Sequence, residues 1–158
     1  MKIREIVVEE AIITELSSSE RAQVVPEMID ALVEAGAVDP SNRDTFIKAV
    51  LDREKKASTG FGHGVAVPHV KHDSIDQIRV TVGLSRKGVD FSALDRKPVY
   101  SIFMLLSPAD RPEDHLDAMQ QIVKYLGEPI FRSFLRQASS VEDVLTLLAE
   151  ADDKQFVH

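Results

Sequence analysis

Apolar residues at Val24, Val25, Met28, Ile29, Leu32 and Val33 recur at the three- and four-residue spacing of an amphipathic helix. Ser17 and Glu20 stand before them at capping-box spacing, and Gly36 stands after them where a helix closes on a left-handed residue. Pro26 falls inside the pattern and predicts a kink or a late start, because proline brings no amide hydrogen. Pro40-Ser41-Asn42 marks a turn. A second helix is predicted over 44–56, with Phe46, Ile47, Val50 and Leu51 on its apolar side and Arg53 projecting away from it. Two earlier apolar runs, 3–8 and 11–16, are too short to assign.

Further along, the period changes to that of a strand. Val65-Ala66-Val67 is strand-like, and 78–84 alternates apolar with polar side chains, the pattern of a half-buried strand. The run 99–106 is almost continuously apolar and β-rich, which suits a strand covered on both faces. Between them, Lys87-Gly88-Val89-Asp90-Phe91 reads as a turn into a short edge element. Asp110 and Glu113 have cap spacing and open a helix expected to reach about Leu126. Shorter helices are expected over 129–137 and 140–150. Strands alternating with helices predict an α/β fold, a mixed β-sheet sandwiched between helices in a single domain. That domain is expected over residues 1–150, ahead of a polar C-terminal tail at 151–158.

Composition narrows the function classes. A chain of 158 residues, 44% hydrophobic and 28% charged, is enough for one soluble domain with its own core. With 26 acidic residues against 19 Lys and Arg, the net charge of −7 argues against nucleic acid as the main partner. The absence of cysteine excludes disulfides, thiolate zinc sites and thiol catalysis, and is compatible with a cytoplasmic location. Met1-Lys2-Ile3-Arg4-Glu5 meets an acid too early for a signal peptide. No run approaches the ~18 apolar residues of a membrane span, so no direct membrane insertion is expected.

The densest chemistry lies at 58–69, Ser-Thr-Gly-Phe-Gly-His-Gly-Val-Ala-Val-Pro-His. Three spaced glycines permit unusual backbone angles, and Pro68 fixes the approach to His69. A neutral imidazole keeps one lone pair and is a nucleophile near neutral pH. A strand ending at Pro68 would present His69 at the sheet's C-terminal edge, where α/β ligand sites lie. His115 falls near the first turn of a predicted helix, whose partial positive charge lowers an imidazole pKa and attracts anions. Arg53 carries a planar fork of donors suited to phosphate, although Glu54 beside it is an alternative partner. His63, His69 and His72 raise a zinc site as a further reading, but their spacing matches no established ligand pattern. Gly60, Gly62 and Gly64 match neither a dinucleotide fingerprint nor a P-loop. Lys71 and Lys87 read as solvated.

Taken in order, Leu51-Asp52-Arg53-Glu54, Ser58-Thr59-Gly60, Gly64-Val65-Ala66-Val67-Pro68-His69, Pro108-Ala109-Asp110 and His115-Leu116 form a combination specific to one family. From about residue 3 to residue 150 the chain resembles the enzyme IIA domain of the fructose–mannitol type. That family belongs to the phosphoenolpyruvate-dependent sugar phosphotransferase system and includes the nitrogen-regulatory IIA proteins. The resemblance implies a phosphohistidine carrier. His69 would accept a phosphoryl group from the histidine-containing phosphocarrier protein, with Arg53 and His115 steadying that group. The group would then pass to a cysteine on a IIB domain or serve as a signal to regulatory target proteins, the nitrogen-regulatory role being favoured. No metal, nucleotide or other cofactor is required. Two positions depart from the family's pattern. Val70 follows His69 where members often carry glycine, and His63 has no part in the expected reaction. Val70 leaves open a second reading, a non-catalytic regulatory binding module with the same fold.

Overall fold

Residues 1–153 are described by a computed structural model. Its sheet is built around one buried strand. β4, Val99–Pro108, pairs antiparallel along one edge with β3, Arg79–Val89, and parallel along the other with β1, Val65–Ala66, and β2, His69–His72. Val65 stands opposite Ser101 and His69 opposite Leu105, so β1 and β2 are two parts of one strand in a single register, interrupted at Val67-Pro68. Proline is tolerated there because it sits on the sheet edge, where it need not donate to a neighbour.

The short runs near the N-terminus cover the outer edge of β3. Val8 N–H donates to Val80 O at 2.8 Å, Val80 N–H to Ile6 O at 2.9 Å, and Leu16 N–H to Leu84 O at 2.7 Å. Single-turn 3₁₀ segments at Ile3–Glu5 and Glu9–Ala11 punctuate this pairing. Periodicity could not resolve these runs because they are neither a helix nor a continuous strand.

Helices cover both faces of the sheet. α1, Arg21–Glu34, and α2, Arg43–Lys56, pack over Ala66, Val70, Ile102, Met104 and Leu106. α3, Pro112–Leu126, α4, Pro129–Gln137, and α5, Val141–Asp152, pack over Val65, Val67, Val80, Val82, Phe103 and Leu105. The expected mixed sheet between helices in a single domain is therefore what forms. Alternate side chains of β4 enter opposite cores, as the strand period requires. Each fully buried Ile, Leu or Phe contributes about 1.5–3 kcal/mol to holding the layers together.

Several local expectations are corrected. β3 is covered on both faces, Val80 to Ser85 all being buried, and Thr81 lies inside because its hydroxyl donates to Ala11 O at 2.7 Å. Lys87 to Val89 continue β3 with a register shift after Leu84, in place of the expected turn. The capping box before α1 does not form. Ser17 and Ser18 N–H groups donate instead to the Glu27 carboxylate, while Ser19 and Arg21 pair with the Asp90 backbone. α1 starts five residues ahead of Pro26 and runs through it. Its end matches expectation: Gly36, at φ 79°, donates to Val33 O and Ala37 to Leu32 O, the paired bonds of a Schellman close. α3 opens at Arg111 without a side-chain cap, Pro112 taking the first helical position in place of an Asp110 cap.

The presumed tail begins inside the fold. α5 is capped by Ser140, which accepts from Asp143 N–H, and it continues to Asp152. The Asp152 carboxylate accepts Ile3 N–H at 3.0 Å, Arg4 N–H at 2.9 Å and the Tyr125 hydroxyl at 2.6 Å, tying both ends of the chain together. Residues 154–158 of the expected tail lie outside the described residues.

Candidate functional site

Strand alternation sends Val65, Val67 and His69 toward the α3–α5 face, and β4 sends Ser107 toward the same layer. α3 enters that layer with His115 in its first turns, buried to 8% exposure. The two imidazole rings therefore meet, with centroids 5.4 Å apart and planes tilted by 53°.

Each ring is fixed through Nδ1. His69 Nδ1 lies 3.0 Å from Val67 O. A carbonyl only accepts, so the neutral ring carries its proton on Nδ1 and leaves the Nε2 lone pair free. His115 Nδ1 lies 2.7 Å from Ser107 Oγ, which is itself buried on β4. Neither Nε2 has a hydrogen-bond partner among the described residues, and neither is sealed from solvent. Burial lowers the His69 pKa below its ordinary value, and the nearby Arg53 charge lowers it further. Burial also pushes His115 down, to about 4, with the His69 ring adding to the effect. Both rings are therefore neutral at pH 7.

His69 does not lie beyond the end of a strand, contrary to the expectation from Pro68. The strand resumes at His69, and Val70 is an ordinary core residue of β2 facing α1 and α2. A β-branched side chain suits that position.

Arg53 is placed differently. Its Nη1 donates to Ala57 O at 2.9 Å, closing the last turn of its own helix. It makes no hydrogen bond to His69, but its charge is close enough to lower that ring's pKa. Glu54 does not hold Arg53. Its buried carboxylate accepts Thr59 N–H at 3.1 Å and Thr59 Oγ1–H at 2.6 Å, with Arg21 Nη1 at 3.8 Å. Sequence reasoning missed this role, although Phe46, Val50 and Glu54 follow one another at four-residue spacing on the buried side of α2.

The other candidates stand apart. His72 packs edge-on against Phe46 at 5.2 Å and accepts Ser74 N–H through Nδ1. His63 takes a left-handed conformation, φ 60°, in the glycine loop. Among the described residues no three His, Asp or Glu side chains gather as a metal-holding group. Phe61 lines a cleft of about 500 Å³ with His63, Tyr100 and Arg136, and His69 is not part of that wall. Gly64 is needed there for packing as well as for its φ of 75°, since a Cβ would come 3.0 Å from the Tyr100 ring.

No helix among the described residues is long and apolar enough to cross a membrane. Comparison with known proteins matches residues 5–151 to the family described as phosphoenolpyruvate-dependent sugar phosphotransferase system, EIIA 2. A fructose-specific EIIA component from Haloferax volcanii is 39% identical over 123 residues, covering 78% of this chain and 79% of that protein. A nitrogen regulatory protein from Bradyrhizobium diazoefficiens is 29% identical, covering 94% of this chain and 95% of that protein. Among solved structures, the nitrogen regulatory protein IIA-Ntr from Neisseria meningitidis superposes with a TM-score of 0.79 at 30% identity, over 92% of this chain and 98% of that one. The mannitol IIA of Escherichia coli shares the fold at a TM-score of 0.74 and 23% identity, over 88% of this chain and 96% of that one. With its fold, its histidine pair and a family match over almost its whole length, the chain belongs to the EIIA type 2 family of the sugar phosphotransferase system.

Proposed function

We propose that this protein is a phosphohistidine carrier in which His69 Nε2 accepts a phosphoryl group from the histidine-containing phosphocarrier protein. The observation that carries this reading is the bond from His69 Nδ1 to Val67 O, which selects the tautomer with a free Nε2 lone pair. In the transfer, a bond forms between His69 Nε2 and phosphorus while the donor's nitrogen–phosphorus bond breaks. The bond made is of the same kind as the bond lost, so the exchange runs near equilibrium. The protein's task is to position the ring and to stabilise charge spread over the equatorial oxygens.

His115 is suited to one part of that task. With the Ser107 hydroxyl donating to Nδ1, its neutral ring carries its proton on Nε2 and, next to the His69 ring, donates it to a phosphoryl oxygen. Arg53 supplies positive charge from the end of α2, and with Nη1 donating to Ala57 O its guanidinium keeps further N–H donors for the phosphoryl group. No metal, nucleotide or other cofactor takes part, and the exchange takes place in the cytoplasm.

The group then leaves for a IIB cysteine, or remains as a signal to target proteins. Relatives named nitrogen regulatory protein that match over nearly the whole chain support the signalling role, which we favour. The fructose-specific relative at 39% identity supports delivery to a IIB domain. Incubation with a radiolabelled phosphorylated donor protein tests the carrier reading. Label is expected on the wild type and absent from H69A, and equal labelling of both would sink it. Affinity capture with the phosphorylated and unphosphorylated forms separates the destinations. A IIB partner indicates transport; capture of a kinase or transporter in one state only indicates signalling.

A further inference from the structure

Glu54 is an acidic residue buried to 1% exposure, and the phosphoryl-transfer scheme above does not use it. A buried carboxylate persists only when it is paired and hydrogen-bonded. Its partners are concentrated in one place. Thr59 donates through both N–H and Oγ1–H, the second at 2.6 Å, and the Ser58 hydroxyl stands 3.5 Å away. Arg21 supplies the counter-charge from the first turn of α1 while its Nη1 also donates to Phe91 O at 3.2 Å.

The segment held this way is the one that anchors Arg53. Ala57 O, which accepts from Arg53 Nη1, directly precedes Ser58. Ser58 is fixed further, its hydroxyl donating to Phe91 O at 3.3 Å and accepting Gly60 N–H at 3.0 Å. Gly60 in turn packs against Ala93, where a Cβ would lie 2.9 Å from the Ala93 Cβ, and its carbonyl accepts Leu94 N–H. Thus 57–60 is clamped between α2 and the 91–94 segment, with Glu54 at the centre of the clamp. The fields of both Arg53 and Glu54 reach His69.

We infer that Glu54 is a positioning residue for phosphoryl transfer: by holding Ser58 and Thr59 it sets the Ala57 carbonyl, and through it the place of the Arg53 guanidinium beside His69. The inference rests on the carrier reading of His69 and gives Arg53 a fixed starting point. Arginine loses its advantage as a phosphate donor when its fork is not preorganised. A displacement of about 1 Å costs up to about a hundredfold in rate.

The test is a double-mutant cycle on the intact chain, using E54Q, R53A and the pair, with phosphoryl transfer from a phosphorylated donor protein followed at varied donor concentration. E54Q is expected to lower kcat about tenfold, with the KM for donor changed less than about twofold. In the R53A background E54Q is expected to have little further effect, because the group it positions is gone. Full additivity of the two losses, or an E54Q effect confined to KM, overturns the inference. T59V removes only the Oγ1 bond to Glu54 and is expected to reproduce part of the kcat loss, so the proposal survives a poorly folded E54Q. NMR of the unphosphorylated protein gives an answer independent of the relay. In E54Q, or in T59V where E54Q does not fold, the Thr59 amide and the Arg53 side-chain N–H resonances are both expected to shift. Unchanged Arg53 resonances overturn the inference. Should the wild type accept no phosphoryl group, the carrier reading fails by itself, and these resonances still decide whether Glu54 places Arg53.

Discussion

Two polar clusters are set among the side chains of α3–α5, and they differ in what each leaves unpaired. Asp152 accepts two backbone N–H groups and the Tyr125 hydroxyl, which itself accepts from Gln121 Nε2 at 2.6 Å. Burial and that carboxylate push the Tyr125 pKa up to about 12. The histidine pair spends one nitrogen of each ring on a fixed partner and keeps the other open. A cluster with every group satisfied serves the fold, whereas one that holds its rings rigidly and leaves two nitrogens available is arranged for an incoming group.

This contrast predicts opposite mutational outcomes. H69A should abolish labelling by a phosphorylated donor while costing less than about 1 kcal/mol in urea unfolding, since the ring is only half-buried. D152A should do the reverse, losing about 2–4 kcal/mol while its folded fraction labels at the wild-type rate. If D152A slowed labelling of folded protein as severely as H69A, the two clusters would not be separable.

Replacing His115 by glutamine should slow transfer about 10–100-fold, in stopped-flow or rapid-quench measurement, with the fold retained. A wild-type rate in H115Q would move the donor role elsewhere. The same ring makes stability depend on pH in a defined window. Unfolded, His115 protonates near 6.5; folded, near 4. As pH falls the unfolded chain takes up the proton first. The contribution is therefore whole above about 6.5 and fades as pH approaches 4. After allowance for partial solvent contact it amounts to roughly 1–2 kcal/mol. Urea titrations between pH 7 and 4 should show a shallower decline in H115Q than in the wild type. The smallest effect is expected for Y125F, about 1 kcal/mol, because Asp152 retains both backbone donors. A loss as large as that of D152A would mean that the hydroxyl, not the backbone pair, holds the C-terminal helix.

The sequence marked the helices well where their signals were local. Gly36 closes α1 as its position indicated, the apolar spacing of α2 located it within a few residues, and the opening expected at Asp110 lies two residues from the start of α3. Its errors came where a distant partner outcompeted a local one. Ser17 and Glu20 have capping-box spacing, but the backbone of Asp90 and the Glu27 carboxylate take the groups a cap would need. Thr81 looked like a solvent-facing position of β3, because alternation records polarity and not whether a helix and the N-terminal segment cover that face.

For the site, candidate residues could be proposed from the sequence and their connections could not. His69, His115 and Arg53 could be named as candidates from motif and chemistry, because reactive side chains and glycine spacing are written along the chain. Tertiary structure alone decided that β2 resumes at His69, that Ser107 orients His115, and that Arg53 turns to Ala57. It also drew Glu54 into the core and brought Asp152 to Ile3, 149 residues away. The physical reason is the same in each case. Periodicity and turn chemistry are properties of neighbouring residues, whereas the partner of a buried polar group is settled only when packing has removed water and left one group within reach.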